Sequence, residues 1–219
     1  TTQGALCYNQ SNGSATFTVS GGTPAYSLSW TGPLSGSLSN GTLNNNGSYT
    51  YSVPNLSPGT YTFTISDNGG GCTSTQTVTI ANPPQLTVSP VVTNVNCFGQ
   101  STGSVVLNVQ GGSPHNGNTH GYNVSYTGPN NLSVNPSGYE IIPAAGVISG
   151  TYSGMVNLAF GTYTYTVTDL AGCSVINSIT ITQPQSALLL ASIDSSNICF
   201  NGAAGSINLS PIGGTQPYS

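Results

Sequence analysis

The sequence predicts an all-β protein: tandem immunoglobulin-like β-sandwich domains, each carrying one disulfide. Three observations predict it. Large residues alternate with threonine in runs such as Tyr61-Thr62-Phe63-Thr64-Ile65 and Tyr163-Thr164-Tyr165-Thr166-Val167. Gly/Pro turn signals ("SGGTP", "NLSPGT", "DNGGG", "QGGSP", "DLAGC") separate the runs, and no 3.6-residue period occurs. The phrase "GTYTFTISDNGGGC" (59–72) returns as "GTYTYTVTDLAGC" (161–173), about 100 residues later.

A period-two pattern gives a half-buried strand, with one face in the core and the threonine face in water. Val78 and Ile80, and likewise Ile179 and Ile181, continue it near the end of each copy. About seven such strands in some 90–100 residues fit one small sandwich rather than one turn of a solenoid. Tyr61 and Tyr163 follow "PGT" and "FGT" at the start of a late strand. A tyrosine corner belongs there in such sandwiches, an ordinary core tyrosine being the alternative.

Cysteines mark the units. Cys7, Cys97 and Cys199 each open the same phrase ("CYNQSNGSATFTV", "CFGQSTGSVVLNV", "CFNGAAGSINLSP"), while Cys72 and Cys173 close it. The expected domains are 1–84, a first repeat lacking the lead-in of the others; 85–184, a second repeat enlarged by insertions; and 185–219, the start of a third. The out-of-phase ends suggest a segment of a longer array. The simplest cysteine pairing is Cys7–Cys72 and Cys97–Cys173, one bridge per repeat, with Cys199 unpaired in this window. Buried free thiols are the alternative. No cysteine lies in a C-x-x-C pair or beside a histidine, which argues against a metal site.

Charge excludes whole classes of function. Of 219 residues, 2% are charged; there is no Lys or Arg, and the acids number four, Asp67, Glu140, Asp169 and Asp194. Phosphate neutralisation by basic side chains is impossible, so no nucleic-acid partner is expected. A polybasic lipid anchor and a catalytic lysine are absent for the same reason. No apolar run is long enough to span a membrane, and no signal peptide is visible. A nearly uncharged, hydroxyl-rich surface offers little repulsion between copies, which suits packing side by side.

Candidates for chemistry are sparse. Asp67 and Asp169 hold the same place in two copies and precede Gly-rich turns, where Asp bonds its own turn backbone; calcium is the sharper alternative, but one acid per copy is few for it. His115 and His120 flank "NGNT" in an insertion read as a solvated loop. No catalytic residue, cofactor or metal site is assigned. Trp30 and Tyr126 hold corresponding positions and either share the core face or, if exposed, offer a flat platform for sugar rings.

The phrases "GGTPAYSLSW" and "LSPGTYTFTISDNGGGCTSTQTVTI", followed by "NPPQLTV", resemble the SprB repeat family. The resemblance extends over essentially the whole chain and is most specific over Gly161–Pro184. It implies a tandem segment of a very large cell-surface adhesin of gliding Bacteroidota, exported by the type IX system and associated with adhesion and gliding motility. Expected partners are neighbouring repeats or identical chains in a fibre, and a surface polysaccharide; neither nucleic acid nor membrane insertion is expected. Two rival functions stand beside this one: a filament subunit completed by strand addition from a neighbour, and a carbohydrate-binding module. Two features depart from the family pattern, the lack of basic residues and the enlargement of the second copy by "HNGNTH" and by the segment 129–160.

Overall fold

The computed structural model describes residues 1–219 except 70, 117–118, 136–140, 143–146, 196–205 and 219. Every regular element among the described residues is a β-strand. The first unit comprises β1 (Thr2–Gln3), β2 (Gly13–Val19), β3 (Ser27–Thr31), β4 (Gly36–Leu38), β5 (Thr42–Leu43), β6 (Tyr49–Leu56), β7 (Gly59–Ser66) and β8 (Thr73–Ile80). Its two antiparallel sheets have the orders β1-β2-β6-β5 and β4-β3-β7-β8.

The second unit repeats the plan with β9 (Thr87–Thr93), β10 (Gly103–Gln110), β11 (His115–Asn116), β12 (Thr119–His120), β13 (Tyr122–Gly128), β14 (Leu132–Val134), β15 (Ser149–Leu158), β16 (Gly161–Asp169) and β17 (Ser174–Ile181). Its sheets are β15-β10-β9 and β14-β13-β16-β17. Three strands facing four, with the last two strands paired beside the third, is an immunoglobulin-like sandwich. The "HNGNTH" insertion forms the hairpin β11–β12, pairing His115 with His120 across it; the side chains of 115–120 lie outside the described residues. A third unit contributes one hairpin, β18 (Leu189–Ser195) with β19 (Ile207–Ile212), equivalent to β9–β10.

The alternation in the sequence is the alternation of burial. Along β16, Tyr163, Tyr165 and Val167 are buried, whereas Thr162 is exposed and Thr164 and Thr166 are half-buried. On the outer face hydroxyls pair across β7–β8 and β16–β17, as in Thr60–Thr79 (3.3 Å) and Thr164–Ser178 (2.9 Å). The two cores are separate. One gathers Tyr26, Leu28, Tyr51, Tyr61, Phe63 and Ile80; the other gathers Leu107, Tyr122, Val124, Met155, Tyr163 and Tyr165. The third hairpin presents Leu189, Leu190, Ile193, Ile207 and Leu209 to solvent.

Tyr61 and Tyr163 close the turn before their strands. The Tyr61 hydroxyl donates to the Ser57 carbonyl and the Tyr163 hydroxyl to that of Ala159, each at 3.0 Å. This back-bond over four residues is the tyrosine corner of sandwich domains.

The cysteine pairing expected from the sequence does not occur. The bridge joins Cys7 to Cys173, across the two units, with a Cα–Cα distance of 5.6 Å. Cys72 and Cys97 are exposed free thiols, and Cys199 lies outside the described residues. The physical reason is polarity within each sandwich. Cys7 sits in the loop entering β2, at the end where Ile80 terminates β8; Cys72 immediately precedes Thr73, at the opposite end of the same eight-residue strand. At about 3.3 Å per residue the two poles stand roughly 25 Å apart. A disulfide requires Cα atoms within about 7 Å. Cys97 and Cys173 are separated in the same way by β17, also eight residues long.

Candidate functional site: the junction between sandwiches

Two poles of different construction meet where the units adjoin. One is the opening loop. In the first unit its backbone is tied to the strand leaving that unit: Ala5 N–H donates to the Ala81 carbonyl, and Asn9 N–H to Asn82 Oδ1, both at 2.9 Å. The second unit builds it again, with Val95 N–H on the Thr182 carbonyl and Gly99 N–H on Gln183 Oε1, again at 2.9 Å. Asn9 and Gly99 are equivalent and both hold positive φ, at 56° and 76°. Only glycine and asparagine visit that region readily.

The other pole is a closing turn latched by an aspartate. Asp169 Oδ1 accepts from Cys173 N–H (2.9 Å), and Oδ2 accepts from Ser113 N–H (2.6 Å). Its main-chain N–H also donates to the Cys173 carbonyl, at 2.9 Å. Asp67 does the same in the first unit, accepting from Cys72 N–H and Thr23 N–H, both at 3.2 Å. One carboxylate thereby clamps the closing turn ("DNGGGC" in the first unit, "DLAGC" in the second) to the "GG[ST]" turn. Asp169 is buried, which raises the weight of each charge-assisted bond. Beside the latch a tyrosine hydroxyl caps the glycine turn in every unit: Tyr26 on the Gly21 carbonyl, Tyr122 on Gly111 and Tyr218 on Gly213, at 2.6, 2.8 and 2.7 Å. Burial, and then the Asp169 charge, push the Tyr122 phenol up to about 12.

The opening pole of the first unit seats on the closing pole of the second. The Leu6 carbonyl accepts from the Ser113 hydroxyl at 3.5 Å and lies 3.4 Å from the Cys173 sulfur, and the next residue is bridged to Cys173. The connecting segment is held at the same place, Gly112 N–H donating to the Pro84 carbonyl at 2.9 Å. Gly111 (φ 78°) packs so closely on that segment that a Cβ would strike the Gln85 carbonyl.

The aromatic platform considered for sugars is not formed. Tyr126 is buried, and half-buried Trp30 lies over Gly36 with its ring centroid 6.0 Å from that of Phe63. Both serve the core. Asp67 and Asp169 belong to different sandwiches and to separate latches, and no cluster of three metal-ligating residues exists among the described residues. What the arrangement does show is a covalent bond that fixes one sandwich to the next.

Residues 1–35, 89–115 and 192–219 contain the three opening cysteines and the three Gly-Gly turns. All three segments match the SprB repeat. The SprB segments thus contain the opening pole and the glycine turn, while the closing turns at 67–72 and 169–173 fall outside them. No curated protein matches the chain. Among solved structures, an amphioxus IgVJ-C2 molecule is similar at 14% identity, covering 81% of this chain and 100% of that one, with a TM-score of 0.28. No helix among the described residues is long and apolar enough to cross a membrane.

Proposed function

We propose that this chain is a non-enzymatic structural segment of an extracellular cell-surface adhesin, a stalk of stacked sandwiches that supports attachment and gliding motility. The carrying observation is the Cys7–Cys173 bridge, which joins two sandwiches instead of closing one. A bond there makes the junction between units, the weakest point of a chain of independent domains, resist bending and tension. The matches to the SprB repeat in all three units support the surface-adhesin reading, and with it export by the type IX system in a member of the Bacteroidota. An oxidising exterior is where such a bridge persists. The absence of Lys and Arg lets copies lie close without charge repulsion. The test is to delete the coding segment in the native host and measure surface attachment and colony spreading. Loss of either supports the reading; wild-type attachment together with wild-type spreading rejects it.

A second reading, assembly by strand addition, rests on the exposed apolar residues of β18–β19. It predicts polymers that grow with protein concentration in sedimentation; a concentration-independent monomer rules it out.

A further inference from the structure

Cys72 and Cys97 are the two free thiols among the described residues. Each occupies, in its own unit, the place that one end of the observed bridge occupies in the other: Cys97 stands where Cys7 stands, and Cys72 where Cys173 stands. Two hydrogen bonds from main-chain N–H groups recur around them. Gln100 N–H turns back to the Cys97 carbonyl (3.2 Å) as Gln10 N–H does to that of Cys7 (3.1 Å). Cys72 N–H is held by Asp67 as Cys173 N–H is held by Asp169.

The second junction carries independent signs of the same docking. The Thr215 hydroxyl donates to the Asn96 carbonyl at 3.2 Å. Thr215 is the counterpart of Ser113, and Asn96 that of Leu6, so this contact is the Ser113–Leu6 contact one unit further on. Gly214 N–H donates to the Ser186 carbonyl at 3.0 Å, as Gly112 does to that of Pro84. A Cβ on Gly213 would strike the Ala187 carbonyl, as one on Gly111 would strike that of Gln85. The third unit thus brings its glycine turn onto the Cys97 pole as the second brings its own onto the Cys7 pole. In the second unit that turn is latched by aspartate to the closing cysteine.

We propose that Cys97 and Cys72 are half-sites of a disulfide ladder. The opening cysteine of each unit bonds the closing cysteine of the unit that follows: Cys97 takes the "DxxGC" cysteine of a following copy, and Cys72 takes the opening cysteine of a preceding copy. The partner is another copy of this repeat. Each rung forms as two thiols lose two protons and two electrons to one S–S bond, while a small-molecule disulfide such as oxidised glutathione is reduced to two thiols. The ladder does not depend on what the array attaches to, so its test and the attachment test fail separately.

The experiment lengthens the chain by its own repeat: residues 1–184 followed by a second copy of 85–184. Cys7, the first copy's Cys173 and the second copy's Cys97 are changed to serine. One opening cysteine then remains, Cys97 of the first copy, facing two closing cysteines, Cys72 and the second copy's Cys173. After oxidation with glutathione disulfide, a chymotryptic digest (the chain offers no Lys or Arg for trypsin) is mapped unreduced. The expected result is a Cys97–Cys173 peptide with Cys72 still reactive to a thiol label. In the monomer isolated by size exclusion after oxidation, both Cys97 and Cys173 labelling as free thiols, or a Cys97–Cys72 peptide, overturns the ladder. A parallel chain that keeps Cys7 and the first copy's Cys173 but has Cys97→Ser reports whether the first rung forms; its absence there also overturns the proposal.

Discussion

Replacing Cys7 by serine removes the only described covalent link between the sandwiches apart from the chain itself. Consider the first sandwich unfolding while the second stays folded. With the bridge intact, the unfolded segment is tethered at Cys173 and at the connector near Pro84, a loop of roughly 80 residues. Closing such a loop limits the entropy of the unfolded chain by about 4 kcal/mol, and measured bridges give about 2–4 kcal/mol. For a domain of this size each kcal/mol moves the midpoint by about 4–8 °C. Cys7→Ser and Cys173→Ser should therefore each lower the melting temperature of the oxidised chain by roughly 10–30 °C. Cys72→Ser alters an exposed free thiol and should change stability by no more than ~0.5 kcal/mol. The comparison decides the matter, because a Cys7–Cys72 bridge would close a loop of similar length and make Cys7→Ser equally costly. Calorimetry of the three variants, with and without reductant, provides the readout. If Cys72→Ser destabilises as much as Cys7→Ser, or if reductant leaves the wild-type midpoint unmoved, the reasoning is wrong.

Other perturbations test the parts. Asp169→Asn keeps the shape of the latch but turns one of its two accepting oxygens into a donor facing an N–H; it should cost about 1.5–3 kcal/mol by denaturant titration, and Asp67→Asn, with longer bonds, should cost less. Tyr163→Phe strips the corner bond to Ala159 and should cost about 1–2 kcal/mol, whereas Tyr165→Phe, removing a buried hydroxyl that has no partner, should be neutral or stabilising. Alkali should unfold the second sandwich. Burial raises the phenols of Tyr126, Tyr163 and Tyr165, and that of Tyr122 reaches about 12. A raised folded-state value means the stabilisation is complete below the unfolded value near 10 and is lost as pH climbs toward 12. Tyrosinate absorbance followed against pH should rise cooperatively with loss of the β signal rather than as independent titrations.

Much of the fold was legible in the sequence because sandwich strands write their burial in a period of two. Tyr163, Tyr165 and Val167 could be placed inside, and Thr162, Thr164 and Thr166 on the outer face, from alternation alone. The repeat itself was legible because each opening cysteine, glycine turn and closing cysteine recurs in order. The cysteine partners were misjudged because spacing along the chain carries no record of which pole a loop occupies. A count of strand reversals would have helped: in seven antiparallel strands, the loop after the first and the loop after the sixth lie at opposite ends. Applied to Cys97, after β9, and Cys173, after β16, the inserted hairpin β11–β12 set aside, that parity argues against a bridge within one sandwich. The Ser113–Leu6 and Thr215–Asn96 contacts left no signal of their own, since a serine or threonine after Gly-Gly reads as ordinary turn chemistry. Trp30 and Tyr126 were ambiguous because an alternating strand shows which residues share a face, not whether a neighbouring sheet covers it.

The most direct test of the central claim is a disulfide map of the unreduced 219-residue chain after digestion at aromatic residues. The account predicts one linked species joining the Cys7 peptide to the Cys173 peptide, with the Cys72 peptide recovered as a thiol. A Cys7–Cys72 species, or a Cys97–Cys173 species, would place the bond inside a sandwich and contradict it.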